Sequence, residues 1–204
     1  MMSEHPALQP GRVAVITGGG SGINLVIAGR YARSGARVAL IGRTKEKLDA
    51  AAGEIRKAGG VASGHPADVR DYEALASAIR SAREAHGEID LVVCGAAGNF
   101  PAPALGMSAN AFKSVVDIDL LGTFNTCRAV FEHLRRPGAS IINISATQAF
   151  TPMAMQAHVC AAKAGVDMLT KCLALEWASA GGQTEIELRL TGSLQIYWME
   201  RGSR

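Results

Sequence analysis

The run Arg12-Val-Ala-Val-Ile-Thr17, followed at once by Gly18-Gly-Gly-Ser-Gly22 and then by apolar residues at helical spacing, constrains this chain more than any other feature. A short apolar run rich in β-branched residues predicts a strand, the glycines a tight turn, and the spacing beyond them a helix. Glycines let a pyrophosphate approach the backbone because no Cβ stands in the way. The helix that follows offers unsatisfied N–H groups and the positive end of its dipole. A second apolar run, Arg37-Val-Ala-Leu-Ile41, follows after the length of a βαβ crossover and ends in Gly42-Arg43. The candidate phosphate cradle is therefore Gly18, Gly19, Gly20, Ser21, Gly22 and Ile23.

The residue that ends the second strand separates the two nicotinamide dinucleotides. A carboxylate there accepts hydrogen bonds from a ribose 2′-hydroxyl, whereas a guanidinium suits a 2′-phosphate. Arg43, with Lys47 one helical turn further on, favours NADP(H) over NAD(H), so NADPH is the expected cofactor. Asp68 closes the third strand and reads either as an acceptor for the adenine amino group or as a helix N-cap. Cys94-Gly-Ala-Ala-Gly98 ends the fourth strand with residues too small to obstruct a nucleotide, and Ala97 is assigned to the cofactor there.

Strand-like and helix-like segments alternate throughout. The predicted strands are 13–17, 37–41, 62–66, 91–94 and 140–144, and the helices 24–34, 45–58, 71–86, 109–134 and 158–178. The alternation predicts a single α/β domain, a doubly wound parallel sheet of Rossmann-like, three-layer αβα type with right-handed crossovers. Ligands in such sheets lie beyond the carboxyl ends of the strands, where Gly18 to Gly22, Arg43, Asp68, Gly95 to Gly98 and Ser145 all fall. Residues 1–11 read as a loosely held arm, 12–180 as the NADP-binding domain and 181–204 as a divergent tail of one or two strands.

Composition excludes several classes. The net charge of +3 comes from 21 basic and 18 acidic residues that form no stripe, which argues against nucleic-acid binding. Cys94, Cys127, Cys160 and Cys172 lack metal-ligand or disulfide-scaffold spacing, so no metal is expected and all four read as small apolar core residues in a reducing compartment. With no signal peptide, transmembrane run or C-terminal peroxisomal tripeptide in the sequence, the expectation is a soluble, cytoplasmic protein with no membrane partner.

Residues 12–178 resemble the short-chain dehydrogenase/reductase family. The family's Thr-Gly-x-x-x-Gly-x-Gly appears as Thr17-Gly-Gly-Gly-Ser-Gly-Ile-Asn24, with Asn24 for the last Gly, and its Asn-Asn-Ala-Gly as Gly95-Ala-Ala-Gly98. The family's catalytic Asn, Ser, Tyr and Lys fall on Asp119, Ala146, Val159 and Lys163, so only the Lys is kept. Ala96-Ala-Gly-Asn-Phe100, Asn110-Ala-Phe-Lys113, Asp117-Ile-Asp119, Gly122-Thr-Phe-Asn125, Asn143-Ile-Ser-Ala-Thr147 and the stretch from His158 to Lys163 resemble the peroxisomal type of 2,4-dienoyl-CoA reductase, which also lacks the Tyr. That resemblance implies NADPH-dependent reduction of a 2,4-dienoyl-CoA or related enoyl-CoA in fatty-acid degradation. Asp119 and Lys163 would be the catalytic pair, with Lys163 also on the cofactor, and Arg70, Phe100, Ser108 and Asn110 would contact the acyl-CoA thioester. It also implies a homo-oligomer, a dimer or tetramer.

The chemistry makes the lost Tyr reasonable. A carbonyl reductase must protonate an alkoxide as hydride reaches the adjacent carbon, and a Tyr hydroxyl does that directly. In a conjugated dienoyl thioester, hydride adds to the far end of the conjugated system, charge collects on the thioester oxygen, and the proton goes to carbon elsewhere. Asp119 is expected to deliver it through water while Lys163 holds the ribose and lends positive charge. His158 reads as a wall of the site or a packing residue before an acid, and Tyr31 and Tyr72 as packing residues. Tyr197 lies in the divergent tail. Strand alternation would turn the hydroxyls of Ser145 and Thr147 away from the face of Ala146. Ile186, Leu188 and Leu190 alternate with polar residues and read as a strand or as half of a hairpin turning at Thr191-Gly-Ser193. An NADP(H)-binding pseudoenzyme or truncated product stays open as the alternative, and an ordinary ketone reductase is the weakest reading.

Overall fold

The computed structural model describes residues 10–136, 138–179 and 185–186. Six parallel strands lie in the order β3-β2-β1-β4-β5-β6: β1 Val13–Thr17, β2 Arg37–Gly42, β3 Val61–Pro66, β4 Leu91–Cys94, β5 Ser140–Asn143 and β6 Glu185–Ile186. The connecting helices are α1 Gly22–Arg33, α2 Lys45–Lys57, α3 Tyr72–His86, α4 Ala109–Val116, α5 Gly122–Val130 and α6 Ala157–Ser179. This is the doubly wound αβα architecture that the alternation predicts. The expected arm lies outside the described residues except for Pro10 and Gly11, as do Tyr197 and the tail apart from β6, which pairs with β5 through Ser140–Glu185 and Ile141–Ile186.

The continuous apolar runs of β1, β2 and β4 follow from burial on both faces of the sheet. Val13, Val15, Ala39, Ile41, Val92 and Ile141 pack with α3, α5 and α6 residues such as Leu75, Ile79, Val130 and Leu173. Ala14, Ile16, Val38, Leu40, Leu91 and Val93 face the other way, onto Ala28 and Ala32 of α1 and Leu48, Ala51 and Ile55 of α2. Both faces are covered, so both registers of the alternation are mainly apolar, and buried polar side chains in the strands, such as His65 and Asn143, have hydrogen-bond partners at Ser63 and Thr170. At the amino ends of the strands Asp90 accepts from Val13 N–H at 2.8 Å and pairs with Arg12 and Arg135, far from the carboxyl ends where the motifs gather.

Several expectations need correcting. The helix expected over 109–134 is interrupted: α4 ends at Val116, Asp117–Leu121 forms a π-helical turn, α5 follows, and Phe131–His133 is a 3₁₀ turn. Gly122 stands at the junction, where its backbone lies against Val69 so closely that a Cβ would stand 2.5 Å from Val69 Cγ2. Strand β5 stops at Asn143, so the alternation argument for Ser145, Ala146 and Thr147 does not apply; Ser145 is buried and Thr147 exposed. Asp71, not Asp68, caps α3, its carboxylate accepting from Ala74 N–H at 3.1 Å. Only Cys94 and Cys127 are core cysteines, with their sulfurs 3.9 Å apart, while Cys160 is half-buried and Cys172 exposed. Tyr31 and Tyr72 pack against the two cores as expected.

Candidate functional site

A cavity of about 410 Å³ opens at the carboxyl ends of β1 and β4, where the strand order reverses. Of the expected cofactor residues, Gly18, Gly20, Ser21, Gly22, Ile23, Arg43, Lys47, Asp68 and Ala97 line it. Gly19 does not: it packs behind the turn, where a Cβ would meet Ile16 O and Leu40 Cδ2 at 2.9 Å each. Lys163 is also outside this wall. Gly18 needs its glycine because the turn holds it at φ +69° and a Cβ would press on the Ala96 backbone at 3.1 Å.

The first turn of α1 is open to an anion. Ser21, its N-cap, makes no side-chain capping bond and no acidic residue occupies the turn, so the helix N–H groups await an acceptor from outside. Among the described residues Arg43 and Lys47 form no hydrogen bond or ion pair, and both are exposed beside the cavity. The volume, the uncapped helix end and these two cations fit a dinucleotide, including one with a 2′-phosphate. Asp68 is engaged differently. Arg70 grips it, Nη2 to Oδ2 at 2.6 Å and Nε to Oδ1 at 3.0 Å, and this holds its carboxyl below the usual carboxylate range.

Asn24 fits its position by an exchange with β4. Its Nδ2 donates to the Gly95 carbonyl at 2.8 Å, filling space that only a glycine at 95 leaves vacant. The glycine-rich turn survives the substitution. Thr17 Oγ1 binds the same segment, accepting from Gly95 N–H at 3.1 Å and Ala96 N–H at 3.3 Å. Thr17 and Asn24, with Val69 and Ile118 in the cavity wall, were not among the expected binding residues. Apolar wall residues carry no motif, and the partner of Asn24 lies in another strand.

The second half of the site is a buried ion pair. Asp119, 1% exposed, sits inside the π-helical turn with Oδ2 3.1 Å from Lys163 Nζ, and its Oδ1 accepts from Gly98 N–H at 2.7 Å. Lys163 also donates to the Ile144 carbonyl at 3.0 Å, which leaves one of its three N–H bonds uncommitted by these contacts. Four residues before it on the same helix face stands Val159, buried with Val115 and Ala162 and packed against Phe100. No phenol occupies this place.

Of the expected substrate residues, Phe100 packs on the apolar cluster that holds Val159, whereas Arg70 is engaged with Asp68. Phe100 is half-buried and tilts against the fully buried His158 ring with centroids 4.5 Å apart, which supports packing for His158. Ser108 caps α4, its hydroxyl oxygen accepting from Ala111 N–H at 3.1 Å, and Asn110 is exposed on the first turn. The backbones of the 101–107 and 151–156 loops join through Ala102 N–H to Met155 O at 2.9 Å. No group of three or more metal-ligating side chains occurs among the described residues, and no described helix is long and apolar enough to cross a membrane.

The chain has recognisable relatives. The family model described as short chain dehydrogenase matches residues 12–188. A peroxisomal 2,4-dienoyl-CoA reductase of Arabidopsis thaliana is 42% identical over 196 residues, covering 92% of this chain and 64% of the relative. That of Saccharomyces cerevisiae is 41% identical over 183 residues, covering 88% of this chain and 63% of its own. The chain therefore spans a little under two thirds of the length of these relatives. Among solved structures, a citronellol catabolism dehydrogenase of Pseudomonas aeruginosa is similar with a TM-score of 0.81 at 34% identity, covering 91% of this chain and 74% of the other. With the strand order, the glycine-rich turn and the buried lysine in place, the match over 12–188 shows that this chain belongs to the short-chain dehydrogenase family.

Proposed function

We propose that this chain reduces 2,4-dienoyl or related enoyl thioesters of coenzyme A, with NADPH as the cofactor, through Asp119 and Lys163. The observation that carries the reading is the buried Lys163–Asp119 pair beside Val159, a lysine of the expected kind coupled to a carboxylate where a tyrosine is missing. When bound, NADPH supplies the hydride. Lys163, steadied by Ile144 O and Asp119, has an N–H bond left that would hold the ribose, and its charge would favour the anionic thioester oxygen. Asp119, held by Gly98 N–H, takes a proton from the Lys163 ammonium paired with it and passes it through water to carbon, and Lys163 regains its proton from solvent after turnover. Arg70, Phe100, Ser108 and Asn110 contact the acyl-CoA, and Arg43 and Lys47 meet the 2′-phosphate.

The relatives named 2,4-dienoyl-CoA reductases support this substrate class. Exposed Phe112, Leu121, Phe124, Met168 and Leu175 on α4, the π-helical turn, α5 and α6 support a homo-oligomer, which light scattering on the purified chain measures. The relatives' names say peroxisomal, and cell fractionation decides between that compartment and the cytoplasm for this chain.

The test is NADPH oxidation against dienoyl-CoA, enoyl-CoA and 3-oxoacyl-CoA substrates. Turnover is expected with the conjugated thioesters, and consumption of 3-oxoacyl-CoA alone would overturn the reading. Asp119→Asn should lower turnover by about 10²- to 10⁴-fold with NADPH affinity nearly unchanged, because a carboxamide keeps the shape but cannot take up and pass on a proton. Lys163→Ala should weaken both. Binding of NADPH with no turnover of any thioester would favour the pseudoenzyme alternative. Arg43→Asp should reduce or reverse the preference for NADP(H), by about tenfold or more, since a charge-assisted contact to phosphate is lost.

A further inference from the structure

Asp68 is the one carboxylate among the residues that line the nucleotide cavity, and it shares that wall with the two cations a 2′-phosphate would need. Arg43 and Asp68 line the same wall, yet the two do not pair, because the carboxylate is held by Arg70. A free Asp68 would change the site. Its attraction to Arg43 would be modest beside solvent, but a paired Arg43 has fewer N–H groups left for phosphate.

The chain prevents this with a residue two positions away. Arg70 Nη2 donates to Asp68 Oδ2 at 2.6 Å, and its Nε spans Oδ1 at 3.0 Å and Oδ2 at 3.1 Å. The backbone N–H of Arg70 adds a further bond to Oδ1 at 3.0 Å, so both oxygens are engaged from one side. The arrangement is local, set by the turn between β3 and α3, and it faces solvent on the arginine side: 41% exposure for the arginine side chain and 26% for the aspartate. Asp117, which also acts on Arg70 through space, is itself paired with Lys113 and does not draw the guanidinium away from Asp68.

We infer that Arg70 is a specificity-determining positioning residue, which sequesters Asp68 from Arg43 and so keeps Arg43 and Lys47 available to the 2′-phosphate of the cofactor. This rests on the NADPH reading above and gives Arg70 a role besides the acyl-CoA contact that the family resemblance implies. Arg70 touches no phosphate in this role. It acts through Asp68.

The experiment is calorimetric titration of the full chain with NADP⁺ and with NAD⁺, read as the ratio of the two dissociation constants. The cofactors share adenine, pyrophosphate and nicotinamide, so a general disturbance of the pocket cancels in the ratio. Arg70→Gln should lower NADP⁺ affinity by about fivefold to tenfold and leave NAD⁺ within about twofold, the scale of a partly screened charge-assisted contact. Adding Asp68→Asn to Arg70→Gln should restore the ratio, because the competing carboxylate is gone. A ratio unmoved by Arg70→Gln, or still depressed in the double variant, overturns the inference. Should Arg70→Gln fail to fold, Asp68→Asn alone decides: its ratio should stay at or above that of the unmodified chain, and a fall overturns the inference. An unmodified chain with no preference for NADP⁺ overturns the cofactor reading itself, whereas a preference that Arg70→Gln leaves intact overturns this inference alone.

Discussion

At Gly95 the room for a side chain is already taken. A Cβ there would stand 2.1 Å from Asn24 Oδ1, and the Asn24 amide is anchored on the Gly95 carbonyl. The family pattern has its glycine at the first position and its asparagine at the second, so the two residue types have exchanged places across the cavity floor. Gly95→Ala should therefore destabilise the fold by about 1–3 kcal/mol, the usual range for overpacking a tight site. Combining Asn24→Gly with Gly95→Asn should cost less than the sum of the single changes, since each creates the space the other needs. Urea unfolding of the four chains measures this, and strict additivity would show the two positions to be independent. The oddity of Asn24 was readable in the sequence. Its partner was not, because the two are 71 positions apart and local spacing says nothing about which strand ends meet.

The helix expected over 109–134 shows how an element is shaped by its surroundings. Its apolar spacing is helical throughout, yet the backbone widens to a π-helical turn at Asp117–Leu121, a deviation often found at functional sites. The widening sets Asp119 between Gly98 N–H and Lys163, contacts from a loop and from another helix. Two hydroxyls brace the turn, Thr123 Oγ1 donating to Asp119 O at 2.6 Å and Thr126 Oγ1 to Gly122 O at 2.7 Å. Gly122→Ala should cost about 1–3 kcal/mol through the clash with Val69 and should lower turnover by moving Asp119. Trimming the opposing side chain with Val69→Ala in the same chain should recover part of both losses. Thermal melts alongside the thioester assay read the two effects, and a Gly122→Ala chain with native stability would show that the turn does not need this close approach. Propensity and periodicity could not reveal the interruption, since its cause is a contact outside the element.

At the scale of the whole molecule, acid should loosen the sheet at its β3 edge. His65 and His86 both reach Ser63 Oγ, at 2.7 Å and 2.6 Å. Burial pushes both imidazoles below the ordinary value of 6.5, and for His86 the neighbouring His65 and Arg37 add to it. A histidine held neutral in the folded state contributes stability that is complete above the unfolded value and is lost as pH falls below about 6.5 through the folded value. Urea midpoints should therefore drop between pH 7.5 and pH 5, and His65→Asn with His86→Asn should flatten that slope. An equal slope in the variant would place the acid sensitivity elsewhere. The alternation of strands and helices, the glycine-rich turn and Arg43 were all legible in the sequence, because periodicity and turn chemistry act within a few residues of chain. The same holds for the loss of the tyrosine at Val159 and the retention of Lys163. Only the tertiary structure decided that Asp68 belongs to Arg70, that Asn24 fills Gly95, that Cys94 meets Cys127 and that Asp119 enters the site from a widened turn. These pairings arise where separate elements are packed together, and the free energy of packing depends on shape and charge across the gap between them, which no local pattern of residues records.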